Sequence, residues 1–371
     1  MSSIINLILY TLYNPIVKYE NSCDNSTQLR SRKEMIYDLK AMIMAAGVGS
    51  RLDPLTKFVP KPLVPIANKP VMDILLEYLH KIGVKSVISN THYMAEKIID
   101  RYSDNSFGIN FNYIKEENLS GTAGGLKKCQ YFFNEGEDFI VLSGDGVSNA
   151  DLLKGINIHK SSDAIATIGI KQIPKNEVSH FGVVVTDEEG FITEFQEKPS
   201  LEEAKSNFIN TGIYIFNYKI FDYIPANTFY DFAKNVFPDL LVEKQINTFE
   251  ITEYWSDIGT LGQYRQSTQD LFNKHYTFAH APIIKTSTGA YISSSVLPMS
   301  TKFIGNSTIG SGCIIGKNVT LKNCIIWDNV TIGDNVTLDD CVIASNTIIT
   351  RDLIAQNIAA NQEITGETVN I

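Results

Sequence analysis

Residues 42–66 read MIMAAGVGSRLDPLTKFVPKPLVPI. An apolar run ends in a turn with two glycines, Gly47 and Gly49, followed by Arg51 and by Lys61 between Pro60 and Pro62. A glycine-rich turn after a strand lets backbone N–H groups approach an anion, most often phosphate. Two phosphate-loop templates fail here. The dinucleotide pattern G-x-G-x-x-G has Leu52 where its third glycine belongs, and no G-x-x-x-x-G-K run followed by Ser or Thr exists. What remains is a strand, G-x-G-S-R, and a lysine whose neighbouring prolines restrict the backbone. A guanidinium suits phosphate oxygens because its forked donors match them.

Outward from this stretch the chain alternates. PVMDILLEYLHKIG (70–83) carries apolar residues at helical spacing, with Pro70 at the start and Gly83 as the stop. VKSVISNTHY reads as a strand, MAEKIIDRYSD as a helix, INFNYIKE as a strand, GGLKKCQYFF as a helix and DFIVLSGD as a strand. This alternation predicts an α/β domain with a largely parallel sheet. Ligands of such sheets lie at the carboxyl ends of strands, where Gly47 and Asp145 both fall. Beyond Asp145 the chain is strand-rich: AIATIGIK, FGVVVTDEEGFITEFQEK with a hairpin turn at DEEG, and NTGIYIF. A helical FYDFAKNVFPDLLVEK and the strand EYWSDIG close this part.

The last hundred residues have another rhythm. Aliphatic or aromatic residues recur at Phe303, Ile309, Ile315, Leu321, Ile326, Ile332, Leu338, Ile343 and Ile349. Smaller residues stand two positions earlier: Ser307, Cys313, Val319, Cys324, Val330, Val336, Cys341 and Thr347. A six-residue period of this kind marks a parallel β-helix. It assigns three of the five cysteines to a packed column rather than to catalysis or metal binding.

Composition narrows the function. The net charge of -9 argues against wholesale binding to nucleic acid or to an acidic membrane. Between Ala41 and Pro70, however, Arg51, Lys57, Lys61 and Lys69 face only Asp53, so this segment offers a local basic pocket. Five cysteines without a C-x-x-C pair predict a reducing, cytoplasmic setting and no structural zinc. Residues 1–40 read as an extension outside the fold, with a membrane-surface anchor as the alternative.

The stretch AAGVGSRLDPLTKFVPKPLVPIANKPV resembles the signature loop of the sugar-1-phosphate nucleotidylyltransferases, and the resemblance runs nearly end to end from about residue 41. GTAGGL matches that family's nucleotide-contacting loop, LSGDGVSNADL its metal-binding aspartate segment, and YWSDIGT its second metal-binding aspartate. FGVVV, FQEKPS and NTGIYIF match the sugar-phosphate side. PKPLVPIANKPV and the hexapeptide repeat look most like mannose-1-phosphate guanylyltransferases.

The resemblance implies a doubly wound mixed sheet, a Rossmann-like nucleotidyltransferase domain over 41–275, and a left-handed parallel β-helix over 276–371. It implies transfer of a nucleoside monophosphate from a nucleoside triphosphate to a sugar-1-phosphate, with GTP and mannose-1-phosphate as the expected pair. The alternative pairs glucose-1-phosphate with UTP, dTTP or ATP. Arg51, Lys61, Asp145 and Asp257 are the implied catalytic residues, with Asp145 and Asp257 holding Mg2+. Ala46, Gly47, Gly49, Ser50, Arg51, Lys61, Gly121 and Thr122 are the implied nucleotide site. Gly182, Glu197, Lys198, Asn210 and Thr211 are the implied sugar-phosphate site. Ser50 and Gly146 depart from the family's usual threonine and bulkier residue. A non-catalytic regulatory subunit of the same layout competes, but such proteins tend to lose the charged residues retained here. An acyltransferase role for the β-helix is disfavoured because the last histidine, His280, precedes the repeats. The β-helix is expected to support homo-oligomerisation.

Overall fold

Strand β1 (Lys40–Ala45) is buried almost throughout because it lies in the middle of the sheet. Its side chains alternate: Ala41, Ile43 and Ala45 join the apolar cluster on one face, and Met42 joins that on the other. The computed structural model describes residues 39–365 apart from 105–106, 277–283, 286–289, 294 and 296; of Ile284, Lys285 and Tyr291 it describes only the backbone. The expectation for residues 1–40 and the position of Cys23 therefore fall outside the described residues, save Leu39 and Lys40.

Helix α1 (Val71–Lys81), strand β2 (Ser86–Thr91), helix α2 (Ala95–Tyr102) and strand β3 (Asn110–Lys115) follow in the predicted order. Then come helix α3 (Gly121–Lys128), strand β4 (Asp138–Ser143), the short strand β5 (Gly146–Ser148) and helix α4 (Leu152–Ser161). β1 pairs in parallel with β2 and with β4, and β2 in parallel with β3. Strands β6 (Ala166–Gln172), β7 (Gly182–Thr186), β8 (Ile192–Glu197), β9 (Phe208–Asn217) and β10 (Ile246–Glu250) extend the same sheet to nine strands. β9 runs antiparallel to β4, which makes the sheet mixed. The DEEG hairpin joins antiparallel β7 and β8, and Gly190 supplies the φ of 87° that its turn needs. Residues of α1, α2 and α4 pack on one face and those of α3 and α5 (Phe237–Val242) on the other, the doubly wound arrangement.

Two helices differ from expectation. α3 begins at Gly121, inside the loop that the sequence places before it, and stops at Lys128. The segment 229–244 is not one helix: a π-helical turn over Phe232–Val236 precedes α5. Pro238 has no N–H to return to the preceding turn, so the ladder cannot continue in α register through it. The Asp231 carboxylate caps the start, accepting from Ala233 N at 3.0 Å and Lys234 N at 3.3 Å.

After strand β11 (Trp255–Asp257) and helix α6 (Leu261–Phe272), the hexapeptides wind into three parallel stacks, the architecture of a left-handed parallel β-helix. Every small residue of the predicted column is buried, as is every large one except the half-buried Phe303. Asn318, Asn323, Asn329, Asn335, Asn346 and Asn361 take corners at φ between 50° and 62°, where asparagine is the tolerated non-glycine. Their amides stack from coil to coil, Asn318 Nδ2 donating to Asn335 Oδ1 at 3.0 Å and Asn346 Nδ2 to Asn361 Oδ1 at 3.2 Å.

One face of this prism is covered. Ile325, Trp327, Val342 and Ala344 turn outward, yet they are buried in the same apolar cluster as Ile66, Ala67, Tyr264 and Leu271 of the α/β domain. Trp327 Nε1 donates to the Tyr264 hydroxyl at 2.9 Å, and that hydroxyl donates to Pro65 O at 2.8 Å. Arg265 reaches Asp340 at 2.8 Å and Asn357 at 3.0 Å. Replacing Trp327 by Ala should cost about 3–5 kcal/mol, read as a lowered urea midpoint by fluorescence of the remaining Trp255. An unchanged midpoint would show that this contact does not join the domains.

Candidate functional site

The turn after β1 is fixed by its own short-range bonds. Gly49 has a φ of 73° and caps a single 3-10 turn, Ser50–Leu52. A Cβ at Gly49 would sit 3.0 Å from Lys61 Cβ, so the glycine is required by its backbone and by the lysine packed on it. The Thr56 hydroxyl contacts Gly49 O at 3.0 Å and Asp53 Oδ1 at 2.9 Å, which ties the DPLT segment to the glycine turn. Pro60 is extended, with φ -66° and ψ 148°, and hands the chain to a 3-10 turn that starts at Lys61. The lysine is buried.

Lys61 Nζ donates to Asp145 Oδ2. Asp145 follows β4 and leads into β5, which pairs antiparallel with β11; in that ladder Gly146 faces Asp257. Ile258 N donates to Asp145 O at 3.1 Å and closes the junction. The two expected metal-binding carboxylates, 112 residues apart in sequence, thus share one corner. Burial, reinforced by the neighbouring Asp145, raises the pKa of Asp257 above its ordinary value, against the pull of Lys61 and Arg51. Asp257 Oδ1 is buried without a hydrogen-bond partner among the described residues. An orphaned carboxylate oxygen beside a second carboxylate fits a hard divalent cation that completes its shell with phosphate and water oxygens. Gly146 is not demanded sterically, since a Cβ there would approach only Ser143 O, at 3.5 Å.

A cavity of about 370 Å³ opens beside this corner. Ala46, Gly47, Lys61, Gly121, Thr122 and Asp145 line it, so six of the expected residues meet there. A Cβ on Gly47 would meet no protein atom within 4 Å. Gly121 differs: a Cβ there would strike the Tyr230 carbonyl, so chain packing already requires this glycine at its φ of 78°. Gly49, Ser50 and Arg51 stay outside the lining, and Arg51 is exposed. Of the basic cluster read in 41–70, Lys61 alone lines the cavity; Lys69 pairs instead with Glu77 at 2.5 Å.

The expected sugar-phosphate residues lie on the adjoining strands, outside that cavity. Gly182 pairs with Glu197 across β7 and β8, and Lys198 Nζ lies 3.5 Å from Glu197 Oε1. Thr211 is buried and donates to Gly169 O at 2.6 Å, while Trp255 Nε1 donates to Thr211 O at 3.1 Å. Asn210 spends its amide on the Tyr214 hydroxyl and on Gly212 N, at 3.0 Å each. Asn210 and Thr211 therefore hold the backbone of β9, and Glu197 and Lys198 remain more exposed.

The lining residues not selected from the sequence include four with polar or aromatic side chains of interest, Asn90, Glu116, Phe229 and Asp231. Asn90 and Glu116 lie at the carboxyl ends of β2 and β3, the position rule already applied to Gly47 and Asp145, so their signal was present. Phe229 and Asp231 arrive from a segment more than a hundred residues away and carry no local mark.

A family model described as "Nucleotidyl transferase" matches residues 40–274. The chain is 37% identical over 310 residues to the UTP–glucose-1-phosphate uridylyltransferase of Synechocystis, covering 75% of this chain and 80% of that protein. It is 29% identical over 290 residues to the mannose-1-phosphate guanylyltransferase of Mycobacterium tuberculosis, covering 77% and 79%. The solved structure of HddC from Yersinia pseudotuberculosis superposes with a TM-score of 0.54 at 27% identity, over 63% of this chain and 99% of that one.

The carboxylate corner makes a prediction of its own. Asp257 holds its proton more tightly folded than unfolded, so its contribution to stability is lost as pH rises past the ordinary carboxylate range. Asp257→Asn should stabilise the metal-free protein at neutral pH by about 1 kcal/mol and lose that advantage in acid. Added Mg2+ should raise the wild-type melting temperature and leave the variant's unmoved. A variant less stable than wild type at pH 7 without metal would contradict the reading of this corner.

Proposed function

This chain belongs to the nucleotidyl transferase family, and from that premise we propose that it joins a sugar-1-phosphate to a nucleoside monophosphate taken from a nucleoside triphosphate. That it is a sugar-1-phosphate nucleotidyltransferase follows from its relatives; the substrate pair and the residue roles are our reading. The observation that carries it is Lys61, buried against Asp145 and beside Asp257 at the wall of a cavity that Gly47 also lines.

In the proposed reaction a sugar-phosphate oxygen attacks the α-phosphorus in line. A new P–O bond forms, the bond to the β-phosphate oxygen breaks, and pyrophosphate leaves with the electron pair. The nucleophile is already ionised at neutral pH, so no side chain need remove a proton. The barrier is electrostatic: two polyanions must meet, and charge accumulates on the leaving group. Lys61 and Arg51 are assigned to the triphosphate, Lys61 with two ammonium donors beyond the one that Asp145 takes. Lys198, with Glu197 beside it, is assigned to the sugar phosphate. Asp145 and Asp257 are assigned to Mg2+. When bound, that ion would supply positive charge and orientation at the phosphates.

UTP with glucose-1-phosphate is the first reading, favoured by the 37% relative over 310 residues. GTP with mannose-1-phosphate, the pair expected from the sequence, is the second, supported by the relative at 29%. Four buried unpaired cysteines, Cys129, Cys313, Cys324 and Cys341, support a reducing, cytoplasmic setting. Among the described residues no helix is long and apolar enough to cross a membrane.

Pyrophosphate release measured across UTP, GTP, dTTP and ATP with glucose- and mannose-1-phosphate should give one pair well above the rest; silence across the panel would end the enzymatic reading. Lys61→Ala should lower kcat by about 100- to 1000-fold and weaken nucleotide binding, read by calorimetry, by a much smaller factor. Self-association through the β-helix belongs to the same reading, supported by Ile314 and Ile348 exposed on one stack. A monomeric mass in light scattering across micromolar concentrations would remove it.

A further inference from the structure

We propose that Lys171 is a positioning residue for the carboxylate corner: its ammonium is a built-in cation that gathers the carbonyls of residues 251–253 and so holds in place the strand that carries Asp257. The inference rests on the reading of Asp145 and Asp257 as the ligands of Mg2+. It adds to that reading a residue that lies outside the cavity lining.

Topology creates the need. β11 stands apart from the nine-stranded sheet and pairs with β5 in a separate ribbon of three residue pairs. A two-stranded ribbon has little stability of its own and must borrow rigidity through its connections. On the β5 side the connection is short, since β4 ends at Ser143 and β5 begins at Gly146. On the β11 side the chain leaves the sheet at Glu250, the end of β10. It then crosses residues 251–254, which have no regular secondary structure, before it reaches Trp255. Asp257 depends on that crossing for its place.

Each carbonyl from Glu250 to Tyr254 is held. Lys154 Nζ donates to Glu250 O at 3.2 Å. Lys171 Nζ donates to Ile251 O at 3.1 Å, to Thr252 O at 3.4 Å and to Glu253 O at 2.6 Å. Tyr254 O accepts from Asn149 N at 3.2 Å and from the Ser148 hydroxyl at 3.0 Å, and Tyr254 N donates to Asn149 Oδ1 at 2.9 Å. Tyr254 is thus tied to the segment that follows Asp145, and the three residues before it are tied to the main sheet by one side chain. Lys171 stands near the end of β6, where Ile170 O accepts from Ile251 N at 2.8 Å. Ile170 belongs to the apolar cluster on the α3 face. Strand alternation therefore sends Lys171 to the opposite face, the one whose cluster Ile251 joins.

The chemistry suits a cation better than a neutral donor. An ammonium has three N–H donors and no acceptor, and three carbonyls meet it here. Successive carbonyls turned toward one point repel one another as dipoles, and a positive charge at that point reverses the sign, as carbonyl rings do around a monovalent ion. Hydrogen bonds from a charged donor are also stronger than neutral ones. A half-buried lysine ordinarily carries its head out to water. Lys171 is half-buried and turns its head onto the main chain instead.

The test replaces Lys171 by Ala and by Met, the second keeping the apolar stem, in the full chain. Two readouts need no turnover: amide hydrogen exchange over residues 251–258 in metal-free protein, and the Mg2+ concentration that gives half of the full rise in melting temperature. In wild type the amides of Ile251 and Tyr254 should be protected as those of β10 are; free exchange there would overturn the clamp with no variant needed. In both variants exchange over 251–258 should quicken about tenfold, while β1 and β4 exchange as in wild type. The Mg2+ demand should rise about 10- to 100-fold, the usual cost of losing a group that orients a metal ligand. In pyrophosphate release, kcat at saturating Mg2+ should change far less. Ethylammonium, which returns an N–H cation to the space left by Lys171→Ala, should recover most of the lost Mg2+ affinity, and tetramethylammonium at the same ionic strength should not. Variants with wild-type exchange and wild-type Mg2+ demand would overturn the proposal. So would a raised demand that the two ammonium ions relieve equally or not at all, since the N–H cation would then not matter. The two failures separate: exchange and Mg2+ effects in a protein that releases no pyrophosphate remove the transferase reading and keep this one, and release with an unmoved Mg2+ demand in the variants removes this one alone.

Discussion

Two carboxylates held side by side, with one buried lysine between them and the rest of the cavity, form the constraint around which the α/β domain is arranged. Asp145 and Asp257 meet because β5 and β11 pair, with Gly146 opposite Asp257. Left alone, such a pair is unfavourable: like charges repel, and Asp257 Oδ1 finds no partner among the described residues. The ion pair from Lys61 to Asp145 offsets part of this. A corner of this kind, charged and incompletely satisfied, is what a site for phosphates and a divalent ion needs. Complete internal pairing would leave nothing to bind.

The surrounding sequence serves the placement of that lysine. Gly49 gives Lys61 Cβ room, Thr56 locks the turn, and Pro60 fixes the approach. This explains why the opening stretch was legible: its glycines, threonine and prolines are local devices, and local devices leave marks in sequence. The strand–helix alternation was legible for the same reason, as was the six-residue period, which requires only that each inward side chain resemble its neighbour one coil away. The π-helical turn before α5 was not, because it depends on how Pro238 and the Asp231 cap share out N–H groups that a periodicity count ignores.

The less legible parts of the site come from tertiary contact. Phe229 and Asp231 join the cavity through the pairing of Tyr230 with residues 120–124, a contact between segments with no shared pattern. Asn210 and Thr211, expected at the sugar, spend their polar groups on Tyr214, Gly212 and Gly169. A residue type that can bind a hydroxyl can equally brace a strand, and only the fold decides between them. The covered face of the β-helix did carry a signal. CIIW and CVIA have apolar residues on both sides of the inward aliphatic, whereas VTIG and VTLK alternate. An outward apolar residue on a parallel coil predicts a neighbour.

That neighbour ties the two domains into one mechanical unit. The Tyr264 hydroxyl takes the indole N–H of Trp327 and gives its own proton to Pro65 O, just beyond the Lys61 turn. Asn68 Nδ2 donates to Ile309 O at 2.7 Å, fixing the same segment to the first coils. Residues 65–70 form a tight hairpin whose two turn residues, Ala67 and Asn68, take the positive φ that such a turn needs. The Asn68 side chain anchors that turn on the β-helix. The signature loop is therefore set at its glycine end by bonds within itself and at its proline end by the hexapeptide stack. Lys61 lies between the two, and the position of the charge in the cavity depends on both domains.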